Sequence, residues 1–294
     1  IVTNKKENLS NINLSKNLRK LEKKIKKLNT SHPNLLGNRT LFSVMTDWNP
    51  AEIVGLRPKR LALSLYKELI TDETWAYQRD NYGYRRLRSH PLLVSFLGVP
   101  FIDVRVSFNS FIPKTLDEKI ATKLVNYYLN KLSKNLNNHD KVEFEIIYSC
   151  YYFGLKEKLL KLLNYGFTKN ELKKIEKSLV NITNCIINTK NGLYKKDLNK
   201  SKLLSVKFND IVNSDLSLID KIYWLIKDVK RYGTLPFAGV ARAGFIAMQI
   251  LNSFVEKNII TIDEYNKFLK SLSTVSKQLS RDVKTIPKKE FLKI

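Results

Sequence analysis

The chain has 294 residues, enough to bury a sizeable core in one large domain or two ordinary ones. A hydrophobic fraction of 43% excludes a disordered chain. No apolar run reaches the roughly 18 residues that span a bilayer, and no basic-then-apolar signal pattern opens the chain, so we expect a cytoplasmic protein with no membrane partner. The formal charge of +25 suggests nucleic acid as a partner, an interpretation that depends on where each cation lies.

The first predicted element is a helix over residues 11–29, where leucine and isoleucine recur three and four residues apart. We expect it to be a linker helix docked on a neighbouring domain. The segment TDWNPAEIVG predicts a short helix, with Asn49 as N-cap, Pro50 at the first helical position and Gly55 as the stop. Further helices are expected after Pro58 and from about Asp72.

Two segments predict strands. PFIDVRVSFNSFIP alternates strictly, with Ile102, Val104, Val106 and Phe108 on one face. DKVEFEIIYSCYYF alternates as well, and a helix over 116–134 separates the two segments. If these strands pair, Arg105 and the carboxylates of Glu143 and Glu145 meet on the polar face, either as a cross-strand ion pair, which we favour, or as the floor of a polar site.

After about residue 154 the apolar spacing is helical to the end, and TKNE and TIDE have the pattern of capping boxes. The sequence therefore predicts an α+β fold, predominantly helical, with a small antiparallel or mixed sheet. It is expected to divide into a linker region at 1–40, an α/β segment at 41–153 and a helical segment at 154–294. Cys150 and Cys185 lie in apolar surroundings, which favours buried, reduced thiols.

Arginine and lysine are distributed differently along the chain. The 40 lysines spread over helix faces and are typical of a solvated surface. Seven of the 12 arginines fall within residues 41–110, beside only two lysines: Arg57, Arg60, Arg79, Arg85, Arg86, Arg88 and Arg105. Because a planar guanidinium binds carboxylate or phosphate bidentately and stacks on aromatic rings, we expect these groups to converge around an anionic guest.

The stretch WAYQRDNYGYRRLRSHP contains four of those arginines interleaved with tyrosines. Three interpretations stay open: a structural ion-pair network with Asp72, Asp80 and Asp103, which we favour, a small-anion site, and a single-stranded nucleic-acid site. Nucleic acid is the least favoured, because the cluster is too compact to form a track.

A second unusual stretch, YGTLPFAGVARAG, has small residues before and within a helix. It predicts either a tight helix–helix contact, which we favour, or an anion site at a helix start with Arg242. The sequence has no metal-binding motif, Walker loop or nucleophile elbow, and His32, His90 and His139 are scattered among loop-like segments.

Three blocks carry a resemblance to a known family. VMTDWNPAEIVGLRPKRLALSLYKELITDETWAYQRDNYGYRRLRSHPLLVSFLGVPFIDVRVSFNSFIP, HDKVEFEIIYSCYYF and KRYGTLPFAGVARAGFIA resemble, in this order, the phosphoenolpyruvate synthase-like and pyruvate phosphate dikinase-like phosphotransferases. The similarity covers nearly the whole chain from about Leu41. The opening residues, Ile1 and Val2, would fit the last strand of a preceding ATP-grasp domain.

The resemblance implies a multidomain enzyme in which an ATP-grasp domain phosphorylates a mobile histidine, which then delivers the phosphoryl group to an acceptor. Both of those domains are missing from this chain, so the resemblance implies the central, acceptor-binding segment of a longer polypeptide, inactive alone. No cofactor is expected in the segment, whereas ATP and Mg²⁺ are implied for the full enzyme. The implied partners are the ATP-grasp and phosphohistidine domains and a small-molecule phosphoryl acceptor.

By that layout, Arg85, Arg105 or Arg242 would bind the acceptor or the incoming phosphoryl group. The full set of candidate binding residues is Arg57, Arg79, Arg85, Arg105, Asn109, Glu143 and Arg242, and no residue is assigned a catalytic role. Two alternatives stay open: a non-enzymatic basic helical module that binds nucleic acid, and a structural spacer between catalytic domains.

Overall fold

The structure, a computed structural model, describes residues 11–285, so Ile1 and Val2 lie outside the described residues. Three short strands and a series of helices make up this range. The strands are β1 (Phe42–Ser43), β2 (Leu93–Phe96) and β3 (Val99–Asp103). The helices are α1 (Asn11–Asn29), α2 (Pro50–Ile53), α3 (Arg60–Tyr66), α4 (Thr74–Asn81), α5 (Val104–Asn109), α6 (Glu118–Lys134), α7 (Leu155–Leu160), α8 (Lys169–Ile187), α9 (Leu193–Ser201), α10 (Leu203–Val212), α11 (Leu218–Asp228), α12 (Leu235–Glu256), α13 (Ile262–Ser271) and α14 (Val275–Thr285).

The three strands form one antiparallel sheet in the order β1-β3-β2. Val94 pairs with Phe101 and Phe42 with Asp103. Leu97 and Gly98 join β2 to β3, and both have positive φ, as a tight hairpin turn requires. A small antiparallel sheet in a mostly helical chain confirms the predicted α+β fold class.

The main hydrophobic core is built around α6 and α8. Both helices carry apolar residues at helical spacing, so each buries one stripe, which includes Leu124, Tyr128 and Leu132 on α6 and Ile175 and Leu179 on α8. The cluster also takes in Val104 and Phe111 from the first half of the chain and Ile246 from α12. The predicted division at residue 153 stays a prediction.

Both strand predictions need correction. The strand predicted in PFIDVRVSFNSFIP ends at Asp103, where α5 begins. The Asp103 carboxylate accepts a hydrogen bond from the Val106 amide at 3.2 Å and caps the helix. The predicted strand around Val142–Ile146 is a π-helical turn instead. The expected pairing of Arg105 with Glu143 and Glu145 across two strands is therefore wrong.

The helical predictions fare better. The helices expected at 11–29, after Pro58 and over 116–134 are confirmed to within a few residues. Thr168 with Glu171 and Thr261 with Glu264 form complete capping boxes at the starts of α8 and α13. Of the two cysteines, Cys150 is buried as expected, whereas Cys185 is exposed, so that prediction is wrong for Cys185.

The run from Leu218 to Glu256 is one continuous helical stretch of 39 residues. By length and composition alone it is apolar enough to cross a membrane, a test that the core helix of a soluble protein also passes. Its α12 portion buries Arg242, Gln249 and Ser253. A buried arginine paired within the protein, as described below, is typical of a helix packed on its own chain.

Candidate functional site

A cleft of about 340 Å³ opens where three distant parts of the chain meet. Its first wall comes from the loop before α2, from α2 and from the end of α4; its second from Asp140 and the π-helical turn; and its third from the first half of α12. The lining residues are Asp47, Trp48, Asn49, Glu52, Ile53, Gln78, Arg79, Asp140, Val142, Glu143, Phe144, Phe237, Ala238, Ala241, Arg242 and Phe245. Each wall thus comes from one of the three blocks that the sequence singled out.

The loop that carries Trp48 has a strained backbone. Asp47, Trp48 and Asn49 are consecutive non-glycine residues with positive φ, at 46°, 59° and 30°. Such a conformation costs about 1–2 kcal/mol per residue, so three in a row persist only where the surroundings hold them. The Tyr66 hydroxyl donates to the Trp48 carbonyl oxygen at 2.5 Å. Strain of this kind is typical of functional loops, and here it lies at the cleft.

Asp47 links this loop to α4 and α5. One of its carboxylate oxygens accepts from Arg79 Nη2 at 3.1 Å and the other from Ser107 Oγ at 3.0 Å. Both side chains of the ion pair are over 90% buried. The Arg79 guanidinium also lies 4.1 Å from the centroid of the Phe111 ring. Arg79 is therefore held by a carboxylate and an aromatic ring at once.

A second buried ion pair joins the other two walls. Arg242, on α12, donates to Glu143 in the π-helical turn, and none of the Arg242 side chain is exposed. Gln249, two turns further along α12, donates to the Glu143 carbonyl oxygen at 2.7 Å. Burial alone would lower the pKa of the Arg242 guanidinium, but Glu143 raises it above its ordinary value, so the guanidinium stays protonated.

Arg79 and Arg242 both lie against the ring of Phe111. The Arg242 guanidinium lies 5.5 Å from the centroid of Phe111, the ring on which Arg79 also rests. Phe111 is completely buried. The two ion pairs thus form a charged layer beneath the cleft, joined through an aromatic side chain.

Aromatic side chains form the cleft's upper walls. Trp48 and Phe237 face each other with ring centroids 6.2 Å apart, and Phe144 and Phe245 with centroids 5.7 Å apart. Phe237 is 62% exposed, so its ring offers apolar surface that a guest can cover. An apolar cleft with a few polar groups at its base is the usual form of a small-molecule site.

Several buried donors at the cleft have no hydrogen-bond partner within the described residues. They are Gln78 Nε2, Arg79 Nε, and Arg242 Nε and Nη2. Gln78 is only 2% exposed, and its side-chain oxygen accepts from Arg79 Nη1 at 3.4 Å. Because a buried donor without a partner costs about 1–3 kcal/mol, such a cluster points to a site that receives an acceptor atom.

Three of the seven candidate residues, Arg79, Glu143 and Arg242, line the cleft; the other four lie elsewhere. Arg57 is exposed on the loop before α3, and Arg85 donates to the Asn34 carbonyl oxygen at 3.4 Å. Arg105 donates to the carbonyl oxygens of Leu28 (2.8 Å) and Thr30 (3.0 Å), where it caps the end of α1. Asn109 is buried and exchanges hydrogen bonds with the backbone of Leu36.

The expected convergence of guanidinium groups around one guest is therefore not what the structure contains. Arg88 forms an ion pair with Asp80 at 2.8 Å and stacks on the Tyr77 ring, and Arg86 is exposed. Of the three aspartates expected in a network, only Asp80 pairs with an arginine. Asp103 instead caps α5 and accepts from Thr40 Oγ1 at 2.5 Å.

The sequence interpretation missed half of the cleft. The sequence pattern places Asp47 and Trp48 only at a helix start and Phe237 only in a stretch rich in small residues, and Phe245 lies just beyond that stretch. The available signal was an isolated tryptophan between Asp and Asn-Pro, since a large aromatic residue in a turn segment has no core to fill locally.

Comparisons with known proteins do not assign the chain. No family model, no curated protein and no solved structure matches it. Among the residues that the structure describes, no group of three or more His, Cys, Asp or Glu side chains is placed to hold a metal ion. Proposals about function therefore depend on the cleft itself.

Proposed function

We propose that this chain is the central, acceptor-binding segment of a dikinase-type phosphotransferase, and that the cleft holds the phosphoryl acceptor. One observation carries the proposal. The three sequence blocks that resemble that family are separated by 25 and 76 residues, yet every residue lining the cleft comes from one of them. The strained Trp48 loop and the unpartnered donors at the same place support a binding role rather than a structural one.

In this proposal the segment itself does no covalent chemistry. Phosphoryl transfer depends on positioning and on cationic stabilisation of the moving group, so a binding cleft backed by two guanidinium groups suits it. ATP, Mg²⁺ and the phosphorylated histidine would belong to domains outside these 294 residues. The acceptor would sit between the aromatic walls, with its reacting hydroxyl towards the incoming phosphohistidine.

The test uses the polypeptide translated from the complete reading frame that contains these residues. ATP with Mg²⁺ should phosphorylate a histidine outside this segment, and an added acceptor should discharge it. Phe237→Ala removes a cleft wall and should slow discharge about tenfold while histidine phosphorylation stays unchanged. Phe268→Ala is the matched control, because Phe268 is 49% exposed on α13 and does not line the cleft.

Three results would contradict the proposal. The first is a reading frame that encodes neither an ATP-grasp nor a phosphohistidine domain. The second is ATP hydrolysis by the 294-residue chain alone. The third is equal discharge rates in the Phe237→Ala and Phe268→Ala proteins, since the cleft would then have no part in holding the acceptor.

A further inference from the structure

The residues that line the cleft carry a net negative charge, whereas the whole chain is strongly positive. Four carboxylates and two guanidinium groups line it, for a net charge of −2, and no lysine is among the lining residues. Asp47 and Glu143 are matched by Arg79 and Arg242. Glu52 and Asp140 are left over: both are exposed, and neither forms an ion pair within residues 11–285.

The +25 charge of the chain has little influence on a ligand that is already inside the cleft. At physiological ionic strength the screening length is about 8 Å, so the groups inside the cleft dominate once a ligand has entered. A carboxylic acid such as pyruvate would meet no unpaired cation among the lining residues. It would lie near Glu52, whose carboxylate accepts a hydrogen bond from the Asn49 amide at 3.1 Å, and near Asp140. A protonated amine would be attracted by the same two groups and by the aromatic faces.

The apolar area of the cleft calls for a ligand with an aromatic or similarly rigid apolar body. Ile53, Phe144, Phe237 and Phe245 are between 37% and 62% exposed, so each keeps apolar surface that a guest can cover. Trp48 completes this set. Covering apolar surface favours binding, and contacts between aromatic rings add to this effect.

An independent observation fixes the polar end of the ligand. Gln78 lines the cleft and is 2% exposed, and its Nε2 has no hydrogen-bond partner; Arg79 Nε beside it has none either. Both atoms are donors only, so an acceptor oxygen on a ligand can pair with them. A hydroxyl oxygen meets this need, and a second ammonium group does not.

We propose that the cleft binds an organic molecule with an apolar ring system, a hydroxyl oxygen directed to Gln78 and Arg79, and a protonated amine directed to Glu52 and Asp140. Its role as phosphoryl acceptor rests on the proposed function, whereas its binding does not. The ligand class is thus an aromatic amino alcohol, and small carboxylic acids are expected to bind more weakly because they meet Glu52 and Asp140.

The test measures binding of three matched probes to the 294-residue chain by calorimetry at about 0.15 M salt. The probes share a naphthylpropyl body and end in an amine, an alcohol or a carboxylate. A fourth, an amino alcohol on the same body, carries both polar groups. We expect the amino alcohol to bind most tightly, followed by the amine and the alcohol, and the carboxylate to bind at least about tenfold more weakly than the amine.

Two double variants identify the groups responsible. Glu52→Gln with Asp140→Asn should weaken amine binding about threefold to tenfold and leave alcohol binding unchanged, because exposed carboxylates act only on the charge. Glu118→Gln with Asp263→Asn is the matched control, since both carboxylates are exposed on helix first turns away from the cleft. Gln78→Leu should weaken the alcohol and the amino alcohol but not the amine.

Carboxylate binding equal to or tighter than amine binding would overturn the inference, and so would failure of all four probes to bind. Amine preference that survives loss of both rim carboxylates would overturn it as well. These outcomes are separate from the proposed function. Phosphoryl transfer to a carboxylate acceptor would support the proposed function and contradict the inference about the ligand. Amine binding without discharge of the phosphohistidine would support the inference and contradict the proposed function.

Discussion

At the scale of single residues, the Glu143–Arg242 ion pair connects two walls of the cleft. Arg242 is completely buried and Glu143 nearly so, and they come from segments about a hundred residues apart. Removing one partner of a buried pair leaves an uncompensated charge, which is far more costly than losing the attraction itself. The pair therefore ties α12 to the π-helical turn of Val142–Ile146.

Glu143→Ala should lower the free energy of unfolding by about 3–5 kcal/mol, because it leaves the Arg242 guanidinium buried without a counter-charge. Asp210→Ala, at the exposed Lys207–Asp210 pair, is the control and should cost less than about 1 kcal/mol. Urea denaturation measures both changes. Adding Arg242→Met to Glu143→Ala should recover part of the loss, and a Glu143→Ala protein as stable as the control would refute this account.

The two thiols should differ sharply in reactivity. Burial raises the pKa of Cys150 to about 11, so almost none of it is thiolate near neutral pH, whereas Cys185 is exposed. Labelling with a chromogenic disulfide reagent at neutral pH should modify one thiol rapidly and the second only after unfolding in urea. Cys185→Ser should abolish the rapid phase. A rapid phase that persists in Cys185→Ser and disappears in Cys150→Ser would contradict the assignment.

At the scale of elements, two similar capping boxes should have different consequences. Thr168 begins α8, which buries Leu172, Ile175 and Leu179 in the main core, while no residue of α13, which Thr261 begins, is buried. Thr168→Ala should therefore lower the free energy of unfolding by about 1 kcal/mol. Thr261→Ala should leave the urea midpoint unchanged and speed amide exchange only within α13. Equal midpoint shifts for the two variants would show that α13 unfolds together with the core.

The same two helices show what local sequence predicts. Capping boxes and apolar stripes depend on residues within two turns of one another, so α1, α6, α8 and α13 follow from the sequence alone. The Asp103–Asn109 segment does not. Its alternation of apolar and polar residues indicates a strand, but the helix is buried on every side, and Arg105 and Asn109 find partners about 75 residues away.

The sequence predicts some residues of the candidate site but not how they pair. Arg79 and Arg242 are recognisable because arginines stand out against a lysine-rich background. Glu143 is selected from the sequence for a cross-strand pairing that the structure lacks, since its segment is a π-helical turn. The actual pairings are not recognisable from the sequence, since Asp47 and Arg79 are 32 residues apart and Glu143 and Arg242 are 99 apart. No local spacing rule connects such pairs, so only the packed chain distinguishes a cleft residue such as Arg79 from a helix cap such as Arg105.

At the scale of the whole molecule, the charge is distributed by residue type. The paired arginines lie buried beside the cleft, and exposed lysines dominate the surface: Lys20 and Lys23 on α1 and Lys173 and Lys177 on α8 are examples. A net charge of +25 favours solubility, but the mutual repulsion of so many like charges opposes the compact state. Added salt screens this repulsion, so it should raise the free energy of unfolding.

Raising NaCl from about 0.01 M to 0.15 M shortens the screening length from about 30 Å to 8 Å, which weakens long-range repulsion more than it weakens close ion pairs. The urea midpoint of the chain should therefore rise over this interval. Lys173→Gln with Lys177→Gln removes two like charges one helical turn apart, so this variant should be more stable at low salt and less sensitive to added salt. Urea is the appropriate denaturant because it adds no ions. A midpoint that falls as salt is added would mean that attractive surface pairs outweigh the repulsion, and it would refute the link between lysine excess and stability.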